Sequence, residues 1–183
     1  MSVQIIPITD ALPEPATISS GDFGLAMLSI VLILLEFFAI SYLQMYKRMQ
    51  VFNKDHMERF AEEHHRALGT WKPPTLGYPD MGNGRYSKDL TYEQWFTFNN
   101  WQRCHYNFLE SLTPIIVWIL LSSVYQPFAA GILGLIFFVG RIFYTIGYMT
   151  TANNRLIGAI LVDISLLGLF ILSLVSVGKL ATA

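Results

Sequence analysis

Polar side chains at helical spacing interrupt an otherwise apolar part of the sequence. Arg103, Asn107 and Glu110 are spaced i, i+4 and i+7, which places them on one face of a helix. Ionisable groups inside a membrane-spanning stretch are costly unless they face a partner or water, so each is a functional candidate. An arginine can bind a carboxylate through two parallel hydrogen bonds. This face is therefore a candidate site for a charged ligand.

A second polar set follows closer to the C-terminus. Arg141, Tyr144 and Tyr148 are spaced i, i+3 and i+7 and again share one face, and Arg155 comes shortly after them. The two tyrosines alone would fit the aromatic belt at a membrane surface. With arginines beside them, contact with a ligand is the better interpretation.

An alternative without a ligand uses the same residues. The apolar stretches hold three arginines and three acids, so these charges could form structural ion pairs that hold the helices together. The six residues are Arg103, Arg141, Arg155, Glu36, Glu110 and Asp163. Spacing alone does not choose between the two interpretations.

Composition indicates the elements that must position these residues. Hydrophobic residues make up 53% of the 183 residues, too many for an ordinary soluble domain of this size. The net charge of −1 gives no reason to expect nucleic acid, and the single Cys104 excludes a disulfide framework or a cysteine zinc site. We predict an all-α, integral membrane four-helix bundle forming one domain over 1–183. Its spans are expected at about 22–46, 98–124, 127–149 and 155–177. Only Tyr125 and Gln126 join the second and third spans, so these are predicted to form a tight antiparallel hairpin.

The long segment at about 47–97 is rich in lysine and arginine, which predicts that it lies on the cytoplasmic side. Within it, 53–68 is expected to form one amphipathic surface helix and 69–89 to be irregular and rich in turns. Histidines and glutamates between 56 and 65 match no metal-ligand spacing, and no metal site is expected. The segment 1–21 has no basic residue and is predicted to be a polar lead-in rather than a signal or transit peptide.

Two motifs carry a resemblance to a known family. The sequence Phe98-Asn-Asn-Trp-Gln-Arg-Cys-His-Tyr-Asn-Phe-Leu-Glu110 resembles the second-helix motif of MAPEG proteins, the membrane-associated proteins in eicosanoid and glutathione metabolism. The sequence Val139-Gly-Arg-Ile-Phe-Tyr-Thr-Ile-Gly-Tyr148 resembles their third-helix motif. Within the family, the branch of type 3 microsomal glutathione transferases looks most similar.

The resemblance implies a homotrimer that binds glutathione as cosubstrate between subunits and acts on a hydrophobic small molecule dissolved in membrane lipids. Arg155 stands at the position credited with stabilising the glutathione thiolate. The other positions that match the family's glutathione contacts are Arg103, His105, Asn107, Glu110, Arg141, Tyr144 and Tyr148. The implied activity is that of a glutathione transferase or peroxidase, most often in the endoplasmic reticulum, with the mitochondrial membrane as the alternative.

The segment 47–97 departs from the family, whose link between the first two helices is short. This departure raises an alternative function, an accessory structural subunit of a larger membrane complex, for instance a respiratory one, bound through this segment. The complete set of predicted glutathione contacts favours the enzyme.

Overall fold

The computed structural model describes residues 19–182, and the predicted lead-in lies almost wholly outside them. Within these residues the fold is all-α, with six α-helices, three short 3₁₀ turns and no β-strand. The helices are α1 (Ser20–Val51), α2 (Lys54–Glu58), α3 (Ala61–Leu68), α4 (Tyr92–Ser123), α5 (Pro127–Thr150) and α6 (Leu156–Thr182).

Four of these helices, α1, α4, α5 and α6, are long and apolar enough to cross a membrane, which confirms the predicted four-helix membrane bundle. Helix α5 packs against the other three. The core between them is formed by interlocking apolar side chains, among them Ile33, Phe108, Ile119, Phe137 and Leu169. The turn between α4 and α5 takes only residues 124–126, so the predicted tight hairpin is confirmed.

Helix α1 continues to Val51, five residues beyond the predicted end of the span at 46. The extension is possible because the buried guanidinium of Arg48 has hydrogen-bond partners in the loop that follows. Its Nη1 donates a hydrogen bond to the Leu76 carbonyl at 3.0 Å, and its Nη2 donates one to the Asp80 carbonyl at 2.6 Å. A buried charge with such partners is tolerated where an isolated one is not.

Helix α4 begins at Tyr92, six residues before the predicted start at 98. The Thr91 hydroxyl accepts a hydrogen bond from the Gln94 amide, and the Gln94 side chain accepts one from the Thr91 amide. This reciprocal capping box satisfies amides at the start of the helix that would otherwise have no partner.

The predicted single surface helix over 53–68 is wrong, because the chain forms α2 and α3 with a break at Arg59 and Phe60. The break lets Phe60 turn inward, where its ring packs on Tyr86 at 5.0 Å. The region 69–89 has the expected irregular structure, with two 3₁₀ turns. We call residues 52–91 the loop module.

The loop module is folded and docked rather than extended. Phe52, Met57 and Phe98 form a small apolar core between the module and the bundle. The Asp80 carboxylate accepts hydrogen bonds from the amides of Gly82, Gly84 and Ser87, each 2.8–2.9 Å long. These bonds close the chain around Asp80, next to the carbonyl that Arg48 binds.

Candidate ligand-binding cleft

A cleft of about 440 Å³ opens between α4, α5 and α6. Its volume falls within the range of about 300–1,000 Å³ usual for small-molecule sites. Both predicted motifs contribute to it. Asn107 and Glu110 of α4 and Arg141 and Tyr144 of α5 line it.

The polar part of the cleft is held together across two helices. Asn107 Nδ2 donates a hydrogen bond of 2.6 Å to the Tyr144 hydroxyl. Tyr144 is 6% exposed and Asn107 is partly buried, so the two side chains form an inner wall of the cleft. The Glu110 carboxylate, one helical turn further along α4, is on an exposed residue.

Arg141 is only 2% exposed, yet it reaches the cleft. Its Nη2 donates a hydrogen bond to the Cys104 carbonyl at 3.1 Å, and its guanidinium lies 4.3 Å from the centre of the Phe108 ring and 4.6 Å from that of Tyr144. Among the described residues, its Nε has no hydrogen-bond partner. A buried guanidinium with a spare donor is suited to bind an anionic group.

Within residues 19–182, neither Arg103 nor Arg141 makes a direct ion pair, and the ion pairs of this part all lie in the loop module. Glu36 acts on Arg141 electrostatically, but only from beyond 4.0 Å. Both carboxylate oxygens of Glu36 are buried without a hydrogen-bond partner in the same range. Arg155 is engaged, and its guanidinium lies 5.3 Å from the Tyr148 ring centre.

The other predicted glutathione contacts lie outside the lining of the cleft. Tyr148 packs on Tyr144 with ring centres 5.8 Å apart, so Arg155, Tyr148 and Tyr144 form a continuous series leading to the cleft. Arg103 is exposed on the surface of the single chain. His105 stacks on Phe37 of α1 at 5.4 Å, on a different side of α4.

Beyond its polar part the cleft is apolar. Pro114 and Trp118 continue the lining along α4, and Leu166 and Phe170 continue it along α6, with the Trp118 and Phe170 rings 5.4 Å apart. Because α4 runs away from the loop module, the polar part is nearer that module and the apolar part is deeper in the bundle.

Sequence reasoning missed this apolar lining and the place of Asp163, which also lines the cleft. A signal was present, because the lining residues of each helix recur at helical spacing. On α4 they are Asn107, Ser111, Pro114 and Trp118, and on α6 they are Ala159, Asp163, Leu166 and Phe170.

Comparison with known proteins supports the four-helix membrane fold. The model of the MAPEG family matches residues 24–175, a range that includes the loop module, α4 and α5 and most of α1 and α6. The chain is also 36% identical over 76 residues to an uncharacterized protein of the cyanobacterium Synechocystis sp., a match covering 41% of this chain and 56% of that protein. This chain thus spans little more than half the length of that relative.

Proposed function

This chain belongs to the MAPEG family, and on that premise we propose that it is a membrane-bound glutathione transferase or peroxidase. Its substrates are hydrophobic electrophiles or lipid hydroperoxides. The observation that carries the proposal is the composition of the cleft, in which Asn107, Glu110, Arg141 and Tyr144 meet beside an apolar lining. A polar cosubstrate and a lipid-dissolved one need such adjoining surfaces.

The polar part of the cleft suits the charges of glutathione, which has two carboxylates and one ammonium group. Arg141 supplies a cation with a spare donor, and Glu110 supplies an anion for the ammonium. Asn107 and Tyr144 provide neutral hydrogen-bonding groups between them. Arg103, Tyr148 and His105 complete the proposed set of glutathione contacts. Of these, His105 lies on the side of α4 that faces α1.

Arg155 is the proposed catalytic residue. The reactive form of glutathione is its thiolate, and a free thiol has a pKa of about 8.5. A guanidinium near the sulfur favours the charged form. The thiolate then attacks an electrophilic carbon, forming a C–S bond as the leaving group departs. With a hydroperoxide, two glutathione thiols are oxidised to a disulfide while the hydroperoxide is reduced to an alcohol and water.

We also propose a homotrimer in the membrane. Arg103, Glu110 and Asp163 lie in spanning helices and are exposed on the single chain. Charged side chains facing lipid are costly. Neighbouring copies that cover these residues would remove that cost. Native mass spectrometry in detergent would show a mass of three chains, and a persistent monomer would contradict the trimer.

The endoplasmic reticulum is the proposed membrane and the mitochondrial membrane the alternative, with the basic loop module on the cytoplasmic side. The type 3 branch remains a proposal within the family. Family membership does not favour the accessory subunit.

Turnover by the reconstituted protein tests the proposal. We expect glutathione conjugation to 1-chloro-2,4-dinitrobenzene or glutathione-dependent reduction of linoleate hydroperoxide. Arg155→Ala removes most of this rate, whereas Arg66→Ala leaves it unchanged because Arg66 is a surface residue paired with Glu62. The absence of glutathione-dependent turnover with both substrates would contradict the proposed activity.

A further inference from the structure

A second concave surface, separate from the cleft, lies where α1 enters the loop module. This groove has a volume of about 680 Å³ and is lined from α1, α2 and the segment 71–76. It shares no lining residue with the cleft between α4, α5 and α6. Its ligand is therefore independent of the proposed glutathione chemistry.

The floor and one wall of the groove are rigid. Phe52 is 1% exposed and Met57 is 5% exposed, and both line the groove. Gly77, with φ +67°, lets the chain pack directly on Phe52, since a Cβ atom there would lie 2.5 Å from the Phe52 ring. Pro73 and Pro74 fix the backbone of the wall. A preformed wall reduces the ordering cost of binding.

The other side of the groove is apolar and accessible. Met49 is 50% exposed and Trp71 is 63% exposed, and the Trp71 ring is held by stacking on His65 at 4.0 Å. Methionine side chains adapt readily to irregular apolar ligands. Exposed apolar surface of this kind beside a folded module indicates a binding site more than a solvated face.

The groove lies at the level of the membrane surface. Helix α1 has 32 residues, a length of about 48 Å at 1.5 Å per residue, whereas the hydrocarbon layer is about 30 Å thick. Its last turn, which contributes Met49, therefore extends into the headgroup region. An amphiphile in the bilayer can enter here with its chain on the apolar wall and its head toward water.

The charges at the rim match a single negative charge. Lys54 Nζ lies 3.5 Å from a Glu58 carboxylate oxygen, so these two largely compensate each other. Lys72 also lines the groove and, within the described part of the chain, has no acidic partner within 4.0 Å. The rim therefore has one uncompensated positive charge.

We propose that this groove binds a long-chain fatty acid, with its carboxylate at Lys72 and its chain against Met49, Met57 and Trp71. One carboxylate balances the one spare cation, and a single acyl chain fits one continuous apolar surface. A zwitterionic phospholipid has no net negative charge with which to balance Lys72.

Photolabelling tests this site. The protein is placed in phosphatidylcholine nanodiscs and irradiated with palmitate carrying a diazirine near its chain end. We expect labelled peptides from residues 49–57 and 71–76, and competition by palmitate but not by uncharged hexadecanol. Labelling confined to α4, α5 and α6, or equal competition by hexadecanol, would overturn the proposal. Displacement of the probe by phosphatidylserine at a lower mole fraction than palmitate would assign the site to a phospholipid and overturn it too.

Variants of the groove distinguish the effect of the Lys72 charge from a general loss of folding. Lys72→Glu should weaken palmitate competition at least about 10-fold, an effect of about 1.4 kcal/mol, whereas Lys88→Glu, an exposed lysine outside the groove, should not. If Lys72→Glu lowers the melting temperature, Met49→Glu on the half-exposed end of α1 replaces it, with the same expected loss. Unchanged competition in a folded variant would refute the role of the groove.

Discussion

The side chain of Asn107 on α4 donates a hydrogen bond of 2.6 Å to the hydroxyl of Tyr144 on α5. This bond links the two motif helices at the inner wall of the cleft and presents both side chains to the same space. Asn107 and Tyr144 are 37 residues apart in sequence, and their contact joins the two motifs into one polar surface.

Removing the Tyr144 hydroxyl tests whether this polar surface binds glutathione. Tyr144→Phe keeps the ring that packs on Arg141 and Tyr148 but loses the bond to Asn107. We expect a loss of about 1 kcal/mol in the free energy of unfolding. Glutathione binding should weaken about 10-fold, because the hydroxyl is part of the proposed glutathione site. Tyr42→Phe, at an exposed position on α1, is the control. Calorimetry and thermal unfolding measure both effects, and unchanged binding would remove Tyr144 from the site.

Close packing of α6 on α5 positions Tyr144. A Cβ atom on Gly158 would overlap the backbone nitrogen of Tyr144, whereas one on Gly178 in the same helix would meet nothing within 4 Å. Gly158→Ala should therefore displace α5 and destabilise the protein by about 1–3 kcal/mol. It should also abolish glutathione binding, while Gly178→Ala changes neither. Equal melting temperatures for the two variants would show that the helices separate without cost.

The apolar lining should select the second substrate. Trp118→Ala enlarges the apolar part of the cleft next to Phe170 and leaves the polar part intact. We expect KM for a hydrophobic electrophile to rise about 10-fold or more, because an aromatic contact with the substrate is lost, with KM for glutathione unchanged. Val117→Ala, on an exposed position beside it, should alter neither value. A rise in KM for glutathione alone would contradict this division of the cleft.

Asp80 makes the loop module sensitive to acid. Burial raises the pKa of Asp80, but hydrogen bonds from the Gly82, Gly84 and Ser87 amides and the Ser87 hydroxyl lower it more, so the net pKa is below its ordinary value. The charged form therefore stabilises the module above the pKa of a free aspartate, about 3.9. This stabilisation is lost as the pH falls through the lower pKa of the folded state.

Hydrogen exchange measures this effect. Protection factors of the Gly82, Gly84 and Ser87 amides should be constant near neutral pH and fall in acid. Asp80→Asn should lower them about 10-fold at neutral pH, since bonds to a charged acceptor contribute about 1.5–3 kcal/mol. Asp89→Asn, at an exposed position, is the control. Full protection in Asp80→Asn would show that the charge is unimportant.

The spanning helices and the tight hairpin could be predicted because long apolar runs are local properties of the sequence. The ends of the helices were predicted less accurately, although the sequence does mark one of them. Thr91 and Gln94 form a recognisable capping pattern that marks the start of α4. Nothing near Arg48 indicates that its charge is satisfied by carbonyls 28 and 32 residues away, so the extension of α1 was not predictable.

The candidate site was predictable only in part for a related reason. Spacing places Arg103 and Asn107 on one face, yet the cleft includes Asn107 and leaves Arg103 on the exposed surface. The rotation of α4 against its neighbours decides which part of its polar face is enclosed, and this rotation depends on packing against residues distant in sequence, such as Phe108 against Phe137. His105 likewise faces α1 because Phe37 offers it a stacking partner.

Glutathione binding to the reconstituted protein tests the central claim most directly. Isothermal titration should give saturable binding, at least about 10-fold weaker in Glu110→Gln, because the amide cannot balance the ammonium group. Glu93→Gln, at an exposed position in the first turn of α4, should bind as the wild type does. No saturable binding, or equal affinity of Glu110→Gln and the wild type, would contradict the assignment of the cleft to glutathione.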